Sequence, residues 1–168
     1  MAGVIPRAET AMNYPMFFTY LAACGAAAAT GAMFQPGDWY DGLKKPGWTP
    51  ARWVFPTVWT TLYLFMSYAA MRVGTVGQAD PDATQALAFW SLQIALNTLW
   101  TPVFFGLHRM RAGLFIIALL WLAVAATMVG FFRVDLIAGL LFVPYLVWVS
   151  AATALNASVL RLNPGDTG

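Results

Sequence analysis

Charge and cysteine are the scarcest features of this 168-residue chain. Charged residues make up 10% of it, against about 25% in ordinary soluble domains, while 60% of its residues are hydrophobic. That balance excludes a soluble globular domain. Nine basic and seven acidic residues leave a net charge of +2, too small and too scattered for a nucleic-acid surface. Cys24 is the one cysteine, which excludes an internal disulfide and is too few thiols for a metal cage. His108 is the one histidine, and a lone imidazole without partners in sequence reads as an interfacial residue, not a metal site. The apolar stretches also lack a nucleophile and base pair or a phosphate-binding glycine loop, so no catalytic or metal-binding residue is assigned.

What is present is a series of long uncharged runs at 10–37, 53–71, 83–107, 112–132 and 136–160. Each is about as long as the ~17–25 residues a transmembrane helix needs, or longer. The expected fold class is an all-α membrane protein, a five-transmembrane-helix bundle. Its spans fall at about 14–34, 53–71, 83–107, 112–132 and 136–160, with an ordered loop at 35–52, and 1–168 forms a single domain. Leu21-Ala22-Ala23-Cys24 has the look of a lipoprotein cleavage box. The apolar run nevertheless continues ten residues past the cysteine, as a retained helix would. Gly25, Ala28, Ala29 and Ala32 add small residues that let membrane helices approach closely, within the chain or in a dimer.

The third run carries a stripe that spanning a membrane does not require. At helical spacing Trp90, Gln93, Asn97, Trp100 and Phe104 share one face. An unpartnered buried amide costs roughly 2–7 kcal/mol on transfer scales, so Asn97 is expected to face other helices or a cavity. On the fifth run Pro144, Tyr145, Trp148, Ala152 and Asn156 repeat that aromatic and amide chemistry. On the second, Trp53, Thr57 and Thr60 share a face that Tyr63 continues, and Pro56 is expected to loosen the first turns. Two facing stripes would line a pocket. The loop 35–52, with three prolines and three glycines, reads as a stiff lid, with Trp39, Tyr40 and Trp48 either over a cavity or in the headgroup belt. Five spans place Arg7, Arg72 and Arg133 on one side and Lys44, Lys45, Arg52, Arg109, Arg111 and Arg161 on the other. The positive-inside rule then puts the C-terminus and loop 35–52 on the cytoplasmic side.

These residues form a pattern. Trp39-Tyr40, Lys45-Pro46-Gly47-Trp48-Thr49-Pro50, Trp53 to Pro56, Trp59 to Tyr63, Asn97 to Pro102, Phe104 to Gly106, Pro144-Tyr145, Trp148 and Leu155-Asn156 together resemble the translocator protein family, also called tryptophan-rich sensory proteins or peripheral benzodiazepine receptors. The resemblance covers all five spans in order and is closest to bacterial, alphaproteobacterial-like members. It implies a homodimeric five-helix bundle in a bacterial inner or outer membrane. It also implies a cavity near the first loop that binds porphyrins, including protoporphyrin IX and heme, and aromatic benzodiazepine-type drugs, with no other cofactor tightly held. Carried onto this sequence, the ligand-binding residues are Trp53, Tyr63, Asn97, Trp100, Trp148 and Ala152, with Trp39 and Trp48 from the loop. The cholesterol motif of animal members departs here, because Ala157 stands where its tyrosine would precede Arg161. Three functions stay open at this level: a tetrapyrrole sensor or transporter, a light-dependent porphyrin-degrading enzyme working through Trp53 and Trp148, and a membrane scaffold acting through partners.

Overall fold

The computed structural model describes residues 12–77 and 79–165, and among them the chain is all helical. Five long helices, α1 (Tyr14–Met33), α3 (Val54–Val76), α4 (Pro81–Thr101), α5 (Met110–Val134) and α6 (Leu136–Leu162), are joined by a short α2 (Asp38–Gly42) and a π-helical turn (Pro102–Gly106). Their starts are written in local chemistry. The Asn13 side chain accepts from the Met16 N–H, that of Asp80 from Asp82 and Ala83, and that of Asp135 from Ala138. Each satisfies N–H groups that a helix start leaves without intrahelical partners. Pro15 and Pro81 sit in the first turns of α1 and α4, where a missing N–H costs nothing. The same holds for Pro56, which falls in the opening turn of α3. It therefore does not loosen the helix as its position in the sequence suggested.

α1, α5 and α6 are long and apolar enough to cross a membrane. α3 and α4 have similar lengths, 23 and 21 residues, but fall short in apolarity because hydroxyl, amide and indole side chains interrupt them. Part of that polarity is turned inward, since Ser67, Gln93 and Asn97 are all buried. Over the expected span 83–107 the α-helix runs to Thr101 and the helical path continues as the π-helical turn Pro102–Gly106. Beyond it the Leu107 N–H reaches back five residues to the Pro102 carbonyl at 2.9 Å, and Pro102, lacking an N–H, cannot continue the α-helical ladder.

The long helices close into a ring, α1 against α3, α3 against α6, α6 against α5, α5 against α4, and α4 back against α1. Met66, Trp90, Val124, Phe131, Phe142 and Tyr145 fill its interior. Two polar groups are stitched into this core. The Tyr145 hydroxyl donates to Gln93 Oε1 at 2.8 Å and the Trp90 indole N–H to the Met66 carbonyl at 3.2 Å. Such interhelical bonds contribute about 0.6–2 kcal/mol each in a membrane setting.

The basic residues sort to the two ends as expected, apart from Arg7, which lies outside the described residues. At one end Arg72 makes a paired contact to Asp135, at 3.0 and 2.8 Å, fastening α3 to the α5–α6 turn. The Arg72 guanidinium, helped by the Ala138 N–H, holds the Asp135 carboxyl below its usual range against the opposing effect of burial. A carboxylate depressed in the folded state adds stability above its unfolded value of about 3.9 and loses it as pH falls through the folded value. Asp135→Asn, which can still cap α6, is expected to cost about 1–3 kcal/mol at neutral pH. In thermal unfolding, the gap between parent and variant should close below about pH 4.

Candidate functional site

A cavity of about 730 Å³ opens at the loop end of the bundle, walled by α1, α3, α4, α6 and the loop 35–52. Its volume lies in the range of small-molecule and cofactor sites. The small residues Ala28, Gly31 and Ala32 of α1 form one wall, leaving room that larger side chains would occupy. Aromatic rings form the others. Trp59 stacks on Tyr63 with centroids 5.4 Å apart, Trp100 stacks on Phe104 at 5.3 Å, and Phe55 meets Trp148 edge to face at 5.6 Å.

The polar atoms of this lining have an unusual status. Asn97 Nδ2, Trp100 Nε1, Trp148 Nε1 and both polar atoms of the Asn156 side chain are buried with no hydrogen-bond partner among the described residues. All four residues line the cavity. Leaving such groups unmatched costs about 1–3 kcal/mol each, so these are the polar atoms of the wall with hydrogen-bonding capacity to spare. Tyr63 lies beside the Asn97 amide.

The loop above is ordered by contacts that proline content does not reveal. α2 ends with the Lys45 ammonium donating to the carbonyls of Tyr40 at 2.6 Å and Leu43 at 3.0 Å, while lying 4.6 Å from the Tyr40 ring centroid. Burial, with Asp41 adding, pushes the Tyr40 phenol above its usual value. Asp41 pairs with Arg52, tying α2 to the C-terminal end of the loop. The Asn163 side chain clasps Lys44, accepting from its N–H at 3.0 Å and donating to its carbonyl at 2.9 Å, and so ties the loop to the end of α6.

Of the residues the sequence singled out, Tyr63, Asn97, Trp100, Trp148 and Ala152 come together on the cavity wall. Trp53, Trp39 and Trp48 are not part of it. Trp53 precedes the first residue of α3 and is 70% exposed, because the face turned inward runs through Phe55, Trp59 and Tyr63, not through Trp53 and Thr57. Trp48 is 52% exposed. Trp39 packs in the loop instead, stacked on His108 at 4.3 Å and edge to face with Phe104. Phe55, Trp59 and Phe105 line the cavity without reading as pocket residues in the sequence, whereas Tyr40 and Asn156, absent from the ligand-binding set, read there as part of the lid and of the pocket-lining stripe of the fifth run. The i, i+4 spacing of Phe55, Trp59 and Tyr63 was the available signal for the first two of these.

Residues 18–162 match the sequence model of the TspO/MBR family. Protein CrtK of Rhodobacter capsulatus is 55% identical over 155 residues, 92% of this chain and 97% of that protein. A tryptophan-rich sensory protein of Cereibacter sphaeroides is 56% identical over 152 residues, covering 90% and 94%. The chain belongs to the TspO/MBR family. The human translocator protein is also similar, 39% identical over 142 residues, or 82% of this chain and 84% of that one.

The eight tryptophans of this TspO/MBR chain divide by environment. Trp59, Trp100 and Trp148 face the cavity, Trp90 is core, and Trp121 donates to Ser150 Oγ at 2.8 Å. The remaining three, Trp39, Trp48 and Trp53, belong to the loop and its junction with α3. Only part of the tryptophan content that gives such proteins their name is therefore available to a guest.

Proposed function

We propose that this TspO/MBR protein crosses its bacterial membrane with all five long helices and binds a tetrapyrrole, protoporphyrin IX or heme, in the cavity beneath loop 35–52, as the binding step of a sensor or transporter of porphyrins. Aromatic drugs of the benzodiazepine type would use the same cavity. One observation carries the reading: stacked indole and phenyl rings surround buried N–H donors that have no partner within the described chain. A flat apolar macrocycle matches the rings, and its polar atoms match the donors. The Lys and Arg residues gathered at the loop end favour a cytoplasmic placement of loop 35–52 and the C-terminus. Exposed Gly25 and Ala29 on α1 support a homodimer in which helices approach closely.

Titration of the purified protein with protoporphyrin IX, followed by tryptophan fluorescence, tests this. The parent chain is expected to show saturable quenching. Asn97→Leu should weaken it about tenfold, the size of one lost hydrogen bond in a dry site, and Trp53→Phe should leave it unchanged. Quenching that never saturates in the parent would overturn the proposal.

A further inference from the structure

Asn156 differs from the other polar groups of the cavity. Asn97, Trp100 and Trp148 each present an unpartnered N–H, whereas Asn156 presents both an unpartnered donor, Nδ2, and an unpartnered acceptor, Oδ1. It is only 2% exposed. Its Nδ2 lies 3.4 Å from the position a side-chain carbon would take at Gly113, and Phe104 flanks that same position. The amide is thus held between α5, α6 and the π-helical turn, where it lines the cavity.

An amide side chain with both atoms free pairs best with an edge that offers an acceptor and a donor side by side. Of the cations that border the cavity, Arg52 is paired with Asp41, while Lys45 is positioned in the loop by backbone carbonyls and keeps its charge there. Among the described residues no cation bonds the Asn156 amide, so an ionised carboxylate placed directly against it would be desolvated without a counter-charge in contact. The neutral group is favoured.

Resting on the tetrapyrrole reading above, we infer that Asn156 is a second polar anchor of the cavity and selects guests carrying a neutral carbonyl edge with an adjacent N–H or O–H, a protonated carboxylic acid or a carboxamide. Asn97 and the two indoles then take the remaining acceptors of the guest. The donor and acceptor pattern of Asn156 sets which peripheral groups of the macrocycle are accepted, while the rings set its flatness.

Three probes share one macrocycle and differ only at that edge: protoporphyrin IX, its bis-carboxamide and its dimethyl ester. The acid and the amide retain a donor beside the carbonyl, and the ester does not. Each is titrated against the parent protein and against Asn156→Leu, with tryptophan quenching as the readout. The parent should bind the amide at least about tenfold more tightly than the ester, with the acid gaining on the ester as pH falls. Asn156→Leu should reduce the preference to under about twofold by weakening amide and acid while sparing the ester. Retained ester binding also reports that the variant is folded. If it is lost, Asn156→Ala, smaller and without a polar side-chain atom, should show the same collapse of preference. An amide to ester ratio equal in parent and variant would overturn the inference and leave Asn156 as a group satisfied by water. If none of the three probes binds the parent chain, the tetrapyrrole reading itself fails and the inference falls with it.

Discussion

Gly113→Leu is expected to weaken protoporphyrin IX binding by roughly a hundredfold or more, as overpacking of about 1–3 kcal/mol adds to the loss of cavity shape. A side-chain carbon at this position would lie 2.8 Å from Phe104 Cδ2 and 3.3 Å from Phe104 Cβ. Phe104 has nowhere easy to go. It is 2% exposed, stacked on Trp100 and held edge to face by Trp39, Tyr40 and Phe105. Any retreat moves Trp100, which lines the cavity and whose N–H is buried without a partner among the described residues. Gly113→Ala should give an intermediate loss, since one carbon displaces the ring by less. Helical content by circular dichroism should stay near that of the parent, because Gly113 sits near the start of α5 and leucine is a good helix former. A leucine variant that binds protoporphyrin IX as the parent does would show that Phe104 and Trp100 do not shape the guest site.

The position of Gly113 shows where sequence stops being readable. The five long helices could be placed because charge interrupts the apolar runs, while the capping residues Asn13, Asp80 and Asp135 were a further signal that went unused. The amide at Asn97 and the aromatics at Trp100 and Trp148 were legible as a convergent set, since a polar group in an apolar run needs a reason. Trp53 was misplaced by a shift of two residues along α3. Of its expected stripe Thr60 and Tyr63 do line the cavity while Trp53 and Thr57 do not, and both threonine hydroxyls are satisfied locally, Thr57 by the carbonyl of Trp53 and Thr60 by that of Pro56. The π-helical turn was not legible either. Pro102 marks a break, but only the five-residue reach of Leu107 decides that Phe104 and Phe105 both stay at the cavity. The order of loop 35–52 depends on Asn163, 119 residues from Lys44, a contact that no local pattern encodes.

Gly130→Leu is expected to be strongly destabilising, lowering thermal stability by about 3 kcal/mol or more, at or beyond the upper end of ordinary overpacking costs. At this point α4 and α5 touch almost backbone to backbone. A carbon added to Gly130 would lie 2.9 Å from Ala86 Cβ and 3.3 Å from Ala86 Cα. Neither atom can swing aside as a long side chain could, so the helices must separate. Small residues permit this approach, and close packing is the main attraction between helices in lipid. The separation would not stay local. Trp90, Gln93 and Asn97 lie 4, 7 and 11 residues beyond Ala86, or about 6, 10 and 16 Å along α4 at ~1.5 Å per residue. A tilt at Ala86 therefore strains the Trp90 bond to Met66, then the Tyr145 bond to Gln93, and last the cavity wall. Thermal unfolding in one detergent should rank Gly130→Leu well below Gly130→Ala. Gly25→Ala, where an added carbon meets nothing within 4 Å in the single chain, should cost no packing within one chain, so any loss there reports the proposed dimer contact instead. Adding Ala86→Gly to Gly130→Ala should recover most of the loss, because it removes the closer of the two opposing atoms. Without that recovery, the cost at Gly130 would have to come from something other than the approach of α4 to α5.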